Sequence, residues 1–166
     1  MVRRCHMLIA VVLVALVTTA VAPALAQSET KPVQLSLVTP IQIFNEQTAI
    51  KGVRLNLIYG RNVALTGLDI GLVNHTTTGP FQGVQWGLAG IADGSFTGAQ
   101  WNAVNIVYDD FEGFQWGLVN YANHANGFML GFVNYAVTAR GLQIGLINII
   151  KQGGAFPVFP IVNWSF

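Results

Sequence analysis

The chain has 166 residues, of which 52% are apolar, 9% are charged and 18 are glycine. This composition excludes a disordered chain, because disordered segments are poor in apolar residues and rich in charge. Eight Lys+Arg against seven Asp+Glu give a formal net charge of +1, which excludes a strongly basic nucleic-acid-binding surface.

The N-terminal segment 1–26 has the organisation of a secretory signal peptide. Two arginines precede the apolar run 7–22, and the tripeptide Ala-Leu-Ala at 24–26 is a small-x-small cleavage site before Gln27. A membrane anchor is the alternative, but the run is shorter than the roughly 20 residues that a spanning helix needs. We therefore expect cleavage and export to the periplasm, the outer membrane or the cell surface.

Cleavage changes the charge and the cysteine content of the chain. The mature protein keeps six Lys+Arg against seven Asp+Glu, a net charge of −1, and loses Cys5, the only cysteine. It therefore has no disulfide, no thiolate nucleophile and no cysteine metal ligand.

The rest of the chain is a repeat. Six units align without gaps, with weaker copies at 52–59 and 156–163 and a divergent one at 32–39. The six are GLDIGLVN (67–74), GVQWGLAG (83–90), GAQWNAVN (98–105), GFQWGLVN (113–120), GFMLGFVN (127–134) and GLQIGLIN (141–148). Such a regular spacing excludes a chance origin and indicates one structural unit per repeat.

The pattern within each unit is that of a β-strand. With the leading glycine as position 0, positions 1, 3 and 5 are apolar, position 2 is usually Gln, position 4 usually Gly and position 7 usually Asn. Alternation with a period of two is typical of a strand and not of a helix. Turn-forming pieces separate the units, so the mature chain is predicted to be all-β.

One strand per repeat fits two architectures. In a β-solenoid each repeat is a coil, and equivalent residues stack about 4.8 Å apart. In a small up-and-down outer-membrane β-barrel each repeat is one strand of an antiparallel meander, and the alternating C-terminal residues Val162, Trp164 and Phe166 favour this alternative. A ladder of stacked tryptophans at position 3 favours the solenoid: Trp86, Trp101 and Trp116. We predict a solenoid of about eight or nine repeats, each of roughly 14–16 residues, with the barrel as the alternative.

The solenoid interpretation predicts three segments: the signal peptide 1–26, an N-terminal strand and cap 27–51, and the repeat domain 52–166. Positions 1, 3 and 5 are expected to fill the core, together with the aromatic residues that flank the turns. The prolines at 157 and 160 are expected to blunt the open C-terminal end. The asparagines at position 7 are expected to stack as a ladder: Asn74, Asn105, Asn120, Asn134, Asn148 and Asn163.

The glutamines at position 2 are expected to point outward and to form a second ladder. Its members are the candidate binding residues: Gln85, Gln100, Gln115 and Gln143. A row of amides suits a glycan or another polymer of the envelope. The simpler interpretation is that Gln is a neutral residue tolerated in a stacked sheet.

Few residues of the mature chain can do acid–base chemistry. His75 and His124 fall in turns, where a histidine is usually solvated. Asp109, Asp110 and Glu112 offer oxygen ligands to a calcium ion, but the cluster occurs once, and we interpret it as a solvated acidic turn. No phosphate loop, nucleophile elbow or metal motif is found in the sequence. We expect no enzyme activity, no catalytic residue and no cofactor.

The G-L-Q-x-G-L-x-N units resemble a group of exported bacterial surface-repeat proteins. The resemblance covers residues 32–166, with departures at Asp69 and Met129 in place of Gln, Asn102 in place of Gly and Gly90 in place of Asn. It implies export and a location in the envelope or at the cell surface, and it carries no activity, substrate or site residue. The sequence thus predicts a non-enzymatic structural or binding scaffold whose partner, an envelope component or a glycan, is unknown; a small integral outer-membrane barrel is the alternative.

Overall fold

The structure is a computed structural model and describes residues 30–166. The predicted signal peptide, 1–26, lies outside the described residues. The strands are β1 (Thr30–Val38), β2 (Ile41–Gln42), β3 (Ala49–Asn62), β4 (Leu65–Thr76), β5 (Phe81–Ala92), β6 (Phe96–Trp116), β7 (Val119–Leu130), β8 (Val133–Gln152) and β9 (Val158–Ser165).

All nine strands form one sheet, in the order β2-β1-β3-β4-β5-β6-β7-β8-β9. From β1 through β3 to β8 every neighbouring pair is parallel. When consecutive strands pair in parallel, the chain must return after each strand to the end of the sheet at which that strand began. This path is a coil and not an antiparallel meander. The predicted β-solenoid is confirmed, and the antiparallel barrel alternative is wrong.

The coils stack in register, so that equivalent residues of successive repeats are direct neighbours. Gly83 pairs with Gly98, Gln85 with Gln100 and Trp86 with Trp101. We call each coil a rung. The eight parallel rungs have their position 0 at residues 32, 52, 67, 83, 98, 113, 127 and 141. The divergent copy at 32–39 is thus a true first rung.

The two ends of the stack differ from its middle. Within the predicted N-terminal strand and cap, 27–51, β2 folds back antiparallel on the outer edge of β1. At the other end β9 pairs antiparallel with β8, so the predicted final repeat at 156–163 is not another coil. β9 is the last strand of the sheet, where the missing N–H of Pro160 interrupts no pairing with a further strand.

The side chains face the opposite way from the sequence prediction. Gln85, Gln100 and Gln115, at position 2, are completely buried, whereas Trp86 and Trp101, at position 3, are 56% and 52% exposed. The expectation that positions 1, 3 and 5 fill the core is therefore wrong. The expectation for the aromatic residues that flank the turns is correct for Phe81, Phe96 and Phe111, which form a buried column in which the first two rings stack 4.3 Å apart.

The glycines explain why the large apolar side chains lie outside. At Gly83, Gly98 and Gly113 φ is +138°, +132° and +131°, and a Cβ atom there would collide with the carbonyl oxygen of the preceding rung's glycine. At position 4, a Cβ on Gly87 would meet the carbonyl oxygen of Gly71 in the same way. The inner side of this strand segment therefore accepts one slender side chain, Gln, between two glycines, and has no room for a row of Trp, Leu and Phe.

We expect Gly87→Val to lower the free energy of unfolding by more than about 3 kcal/mol, because the new side chain must displace the backbone of the neighbouring rung. Urea unfolding followed by circular dichroism measures the loss. Leu88→Val is the control, since Leu88 is 57% exposed and its change should stay within about 0.5 kcal/mol. A Gly87→Val protein of full stability would contradict the close approach of the rungs.

Candidate binding surface

The glutamines at position 2 form a hydrogen-bonded ladder inside the coil. The Nε2 of Gln115 donates to the Oε1 of Gln100 (2.7 Å), and the Nε2 of Gln100 donates to the Oε1 of Gln85 (3.0 Å). Gln143 is 1% exposed. The prediction that these four residues point outward is wrong, and as they lie they have no surface with which to contact a glycan. Gln85, Gln100 and Gln115 stabilise the stack instead, because each donates its amide N–H to the preceding rung.

The ladder ends on an ion pair. Gln85 donates to Oδ2 of Asp69 (3.0 Å), and from the other side Arg54 donates from Nε and Nη2 to both carboxylate oxygens (2.8 and 2.7 Å). The side chains of Asp69 and Arg54 are both fully buried. A carboxylate only accepts hydrogen bonds, so Asp69 accepts from Gln85 of the following rung and from Arg54 of the preceding rung. The guanidinium of Arg54 balances the charge of the carboxylate. The departure from Gln at position 69 is thus compensated at position 54.

The asparagines at position 7 form a second internal ladder. Asn105 donates to Asn120 (2.7 Å), Asn120 to Asn134 (2.7 Å) and Asn134 to Asn148 (2.8 Å), each from Nδ2 to Oδ1. The same Nδ2 groups also donate to backbone carbonyls of the following rung. Asn163 lies opposite Gln143 in the antiparallel pairing of β8 with β9, and its Nδ2 donates to the backbone carbonyl of Phe156 (2.8 Å), so it is not a further step of this ladder. Asn74 accepts instead from Asn56 of the preceding rung (2.8 Å). The predicted asparagine ladder is therefore present from Asn105 to Asn148.

Two departures from the consensus compensate each other at one point of the ladders. Position 7 of the fourth rung is Gly90, and Asn102 of the fifth rung fills the space beside it. The Nδ2 of Asn102 donates to Asn105 (2.7 Å) and Gln85 (3.4 Å). At this site Asn102 therefore links the asparagine ladder, at Asn105, to the glutamine ladder, at Gln85.

The residues at positions 1, 3 and 5 of the eight parallel rungs form one continuous outer surface, which we call the apolar facet. In every rung these positions hold only Val, Leu, Ile, Phe, Trp or Ala. Most of the large side chains are about half exposed, for example Leu72 at 52%, Leu118 at 51% and Leu146 at 64%. The sequence analysis missed this surface because it assigned the same residues to the core.

Three tryptophans run along the middle of the apolar facet. Trp86, Trp101 and Trp116 occupy position 3 of the fourth, fifth and sixth rungs, and the rings of Trp101 and Trp116 stack 4.3 Å apart. The predicted tryptophan ladder is thus present between these two rings, on the outside of the coil. Half-exposed tryptophans present on the order of 100 Å² of accessible surface each, from the usual size of the side chain.

A groove lies beside this tryptophan column. It has a volume of about 630 Å³ and is lined by the three tryptophans, by Ala103 and by the glycines at position 4 of neighbouring rungs, among other residues. Its floor is low because Ala103 stands between the larger side chains of Leu88 and Leu118 at position 5. The facet therefore combines a raised aromatic column with an adjacent depression.

Polar side chains border the facet along the column one residue before position 0. These exposed residues, the polar border, are Lys51, Thr66, Gln82, Thr97, Glu112, Asn126 and Arg140. Charges of both signs occur among them, so the border is not a basic or an acidic strip.

The titratable groups outside the core make hydrogen bonds between rungs. The hydroxyl of Tyr59 lies 2.8 Å from Nδ1 of His75, and Nε2 of His75 lies 2.9 Å from Oδ2 of Asp93. Because the carboxylate accepts the Nε2 proton, Nδ1 is left to accept from the tyrosine. Burial raises the pKa of the Tyr59 phenol above its ordinary value. His75 is therefore held by partners and is not the solvated turn residue that the sequence suggested.

The second histidine and the acidic cluster lie further along the stack. Nδ1 of His124 is 2.8 Å from Oγ1 of Thr138. Asp109, Asp110 and Glu112 are exposed in β6. Within residues 30–166, no group of three or more His, Cys, Asp or Glu side chains is arranged to hold a metal ion. The same part of the chain has no helix long and apolar enough to cross a membrane.

Comparison with known proteins gives no match to any family model, any curated protein or any solved structure. The fold and the surfaces described above therefore rest on the chain's own residues.

We expect Arg54→Gln to cost about 3–5 kcal/mol of unfolding free energy, because it leaves the Asp69 carboxylate buried without its counter-charge. Adding Asp69→Gln should recover most of this loss, because the two positions then resemble the Gln85–Gln100 step of the same ladder. Urea unfolding of the two single variants and the double variant gives the coupling.

Arg61→Gln is the matched control for that cycle. Its ion pair with Glu46 is 3.6 Å long and partly solvent-exposed, so the loss should stay below about 1 kcal/mol. A double variant no more stable than Arg54→Gln alone would contradict the equivalence of ion pair and amide step.

We expect Gln100→Leu to destabilise the protein by about 2–4 kcal/mol, because it leaves the Oε1 of Gln85 without its shortest donor and removes the acceptor of Gln115. Gln82→Leu is the same substitution on the exposed polar border, where the change should be within about 0.5 kcal/mol. Equal effects at the two positions, measured by urea unfolding, would show that residue 100 is not inside the coil.

Proposed function

We propose that this protein is an exported, non-enzymatic repeat protein of the bacterial cell envelope, and that it acts as a structural or binding scaffold through its apolar facet. The observation that carries the proposal is the facet itself, a continuous apolar surface over eight rungs with three half-exposed tryptophans at its middle.

The size of the facet supports an association role. Eight rungs about 4.8 Å apart, each presenting positions 1 to 5 of a strand, give a surface of about 38 Å by about 16 Å, on the order of 600 Å². Single exposed apolar side chains are normal on a soluble protein, but a contiguous patch of this size marks an interaction site. A facet left in water would also expose the protein to non-specific aggregation, so we expect it to be covered in the working state.

The use of the polar residues supports a scaffold rather than a catalyst. The Arg54–Asp69 pair is enclosed in the ladder, and His75 is bonded on both sides. Each of these groups links one rung to another. These groups therefore strengthen the stack of rungs, and the surface that the rungs repeat is the apolar facet.

Export is supported by the N-terminal sequence and by the absence of cysteine after residue 5. A fold held by ladders of hydrogen bonds and by rung-to-rung packing needs no disulfide in an oxidising compartment. The resemblance of the repeat to exported surface-repeat proteins points the same way.

The proposal predicts processing and envelope location when the full chain is expressed in a Gram-negative host. The mass of the product should correspond to a chain that begins at Gln27, and fractionation should place it in the periplasmic or envelope fraction. Leu13→Arg, which puts a charge in the apolar run, should leave the precursor uncleaved inside the cell. An uncleaved wild-type chain in the cytoplasm would contradict the proposed export.

Cysteine labelling of the same cells tests whether the facet is covered. Leu118→Cys lies on the facet and Thr97→Cys on the polar border, and both introduce the only cysteine of the mature chain. A thiol-reactive reagent should label the facet position at least tenfold more slowly, and denaturation should make the two rates equal. Equal rates in the cell would contradict a scaffold that works through this surface.

A further inference from the structure

We infer that the apolar facet binds a second copy of the same chain, facet to facet, about a twofold axis that runs between the tryptophan column and the adjacent groove. The inference rests on the proposed function in one respect, namely that the facet is the surface through which the protein associates. The inference adds the identity of the partner, which the repeat pattern alone does not give.

The area of the facet fits a dimer of this kind. Two facets of on the order of 600 Å² each bury about 1,200 Å² in total, which reaches the range of specific protein–protein interfaces. Both surfaces are parallel sheets, and sheets pack face to face about 10 Å apart through the side chains between them. A second copy therefore covers the whole facet without any change in the fold.

The positions of the tryptophans favour a protein partner over a lipid surface. Trp86, Trp101 and Trp116 lie in the middle column of the facet, on the fourth, fifth and sixth of its eight rungs. Residues that dominate binding energy are enriched in Trp and cluster at the centre of an interface, surrounded by contacts that exclude water. Tryptophans that anchor a protein to a bilayer instead lie at the border between apolar and polar surface.

The shape around Trp101 is self-complementary. Ala99 and Ala103 flank this tryptophan at positions 1 and 5, where the adjacent rungs carry larger side chains such as Phe114 and Leu118. The resulting groove beside the aromatic column has a volume of about 630 Å³. In a twofold interface each surface meets its own copy, so the aromatic column of one chain lies in the groove of the other and the reverse.

The charges around the facet agree with this choice. The facet has no charged residue, and its polar border carries Lys51, Glu112 and Arg140 with uncharged residues between them. Binding to an anionic membrane surface is strengthened by a cluster of basic residues beside the apolar surface, and the border does not supply one. A border of mixed sign with a net charge of only +1 is compatible with a like copy, because it brings no block of equal charge together.

The experiment is a measurement of mass without detergent. The full chain is expressed, and the purified product is examined by light scattering and sedimentation equilibrium. Protein concentrations between about 1 and 100 µM are used, because they are on the order of typical dimer dissociation constants. We expect twice the chain mass. Ala103→Glu, which puts a charge in the groove of the facet, should weaken self-association by at least tenfold, whereas Thr97→Glu, on the border of the same rung, should leave it unchanged.

Cross-linking locates the contact. In a Cys5→Ser background, Ala103→Cys should join two copies through a short bismaleimide, because facing sheets lie about 10 Å apart. Thr97→Cys should give at least tenfold less cross-linked dimer under the same conditions. Equal cross-linking at the two positions, or a monomer throughout the concentration range, would overturn the inference.

Vesicles of phosphatidylethanolamine and phosphatidylglycerol (about 3:1) separate this inference from the proposed function. A monomer that floats with the vesicles, and loses this binding on Ala103→Glu but not on Thr97→Glu, would overturn the dimer and keep the facet as the association surface. A monomer that neither pairs nor binds vesicles overturns the inference. Cytoplasmic retention of the precursor overturns the proposed export instead, and it leaves the dimer measurement unaffected.

Discussion

The hydrogen-bonding requirement of buried amides governs this structure. Gln at position 2 and Asn at position 7 lie inside the coil, where an unpaired amide costs about 1–3 kcal/mol. Each finds its partner only if the equivalent residue of the next rung lies directly above it, as between Gln100 and Gln115. A slip of one residue would bury side chains of the wrong kind and break every step at once. The ladders therefore impose parallel, in-register stacking on the rungs that carry them.

The exposed apolar facet is a consequence of that interior. Because successive side chains of a strand point to opposite sides, burying Gln at position 2 sends positions 1, 3 and 5 outward. Glycine at positions 0 and 4 brings neighbouring rungs into close contact and leaves the interior too narrow for Trp, Leu and Phe. Only part of the hydrophobic stabilisation that these side chains can contribute is used within one chain, because they are about half exposed. In the proposed dimer the rest is gained by covering the facet.

Departures from the repeat consensus show how the ladders tolerate change. Asp69 is neutralised by Arg54, and Asn102 occupies the space beside Gly90. Met129 interrupts the glutamine ladder, and its Sδ accepts from Nε2 of Gln143 at 3.4 Å. From the sequence alone these positions predict interruptions of the glutamine and asparagine ladders. The compensation is visible only across rungs, since the partner of each departing residue lies one rung away along the chain and next to it in space.

The sequence by itself determined the all-β class, the length of one coil, and the stacking of Asn and Trp, because all of these follow from period and spacing. The parallel pairing of β1 with β3, which makes 32–39 the first rung of a repeat predicted to begin at 52, is visible only in the structure. Only the tertiary structure decided which side of each strand is inside. Alternation with a period of two separates two sets of residues but does not state which set is buried, and hydrophobicity favoured the wrong one. The close contact of glycines between rungs made that choice, and with it turned the expected glutamine binding surface into the core and the expected core into the surface.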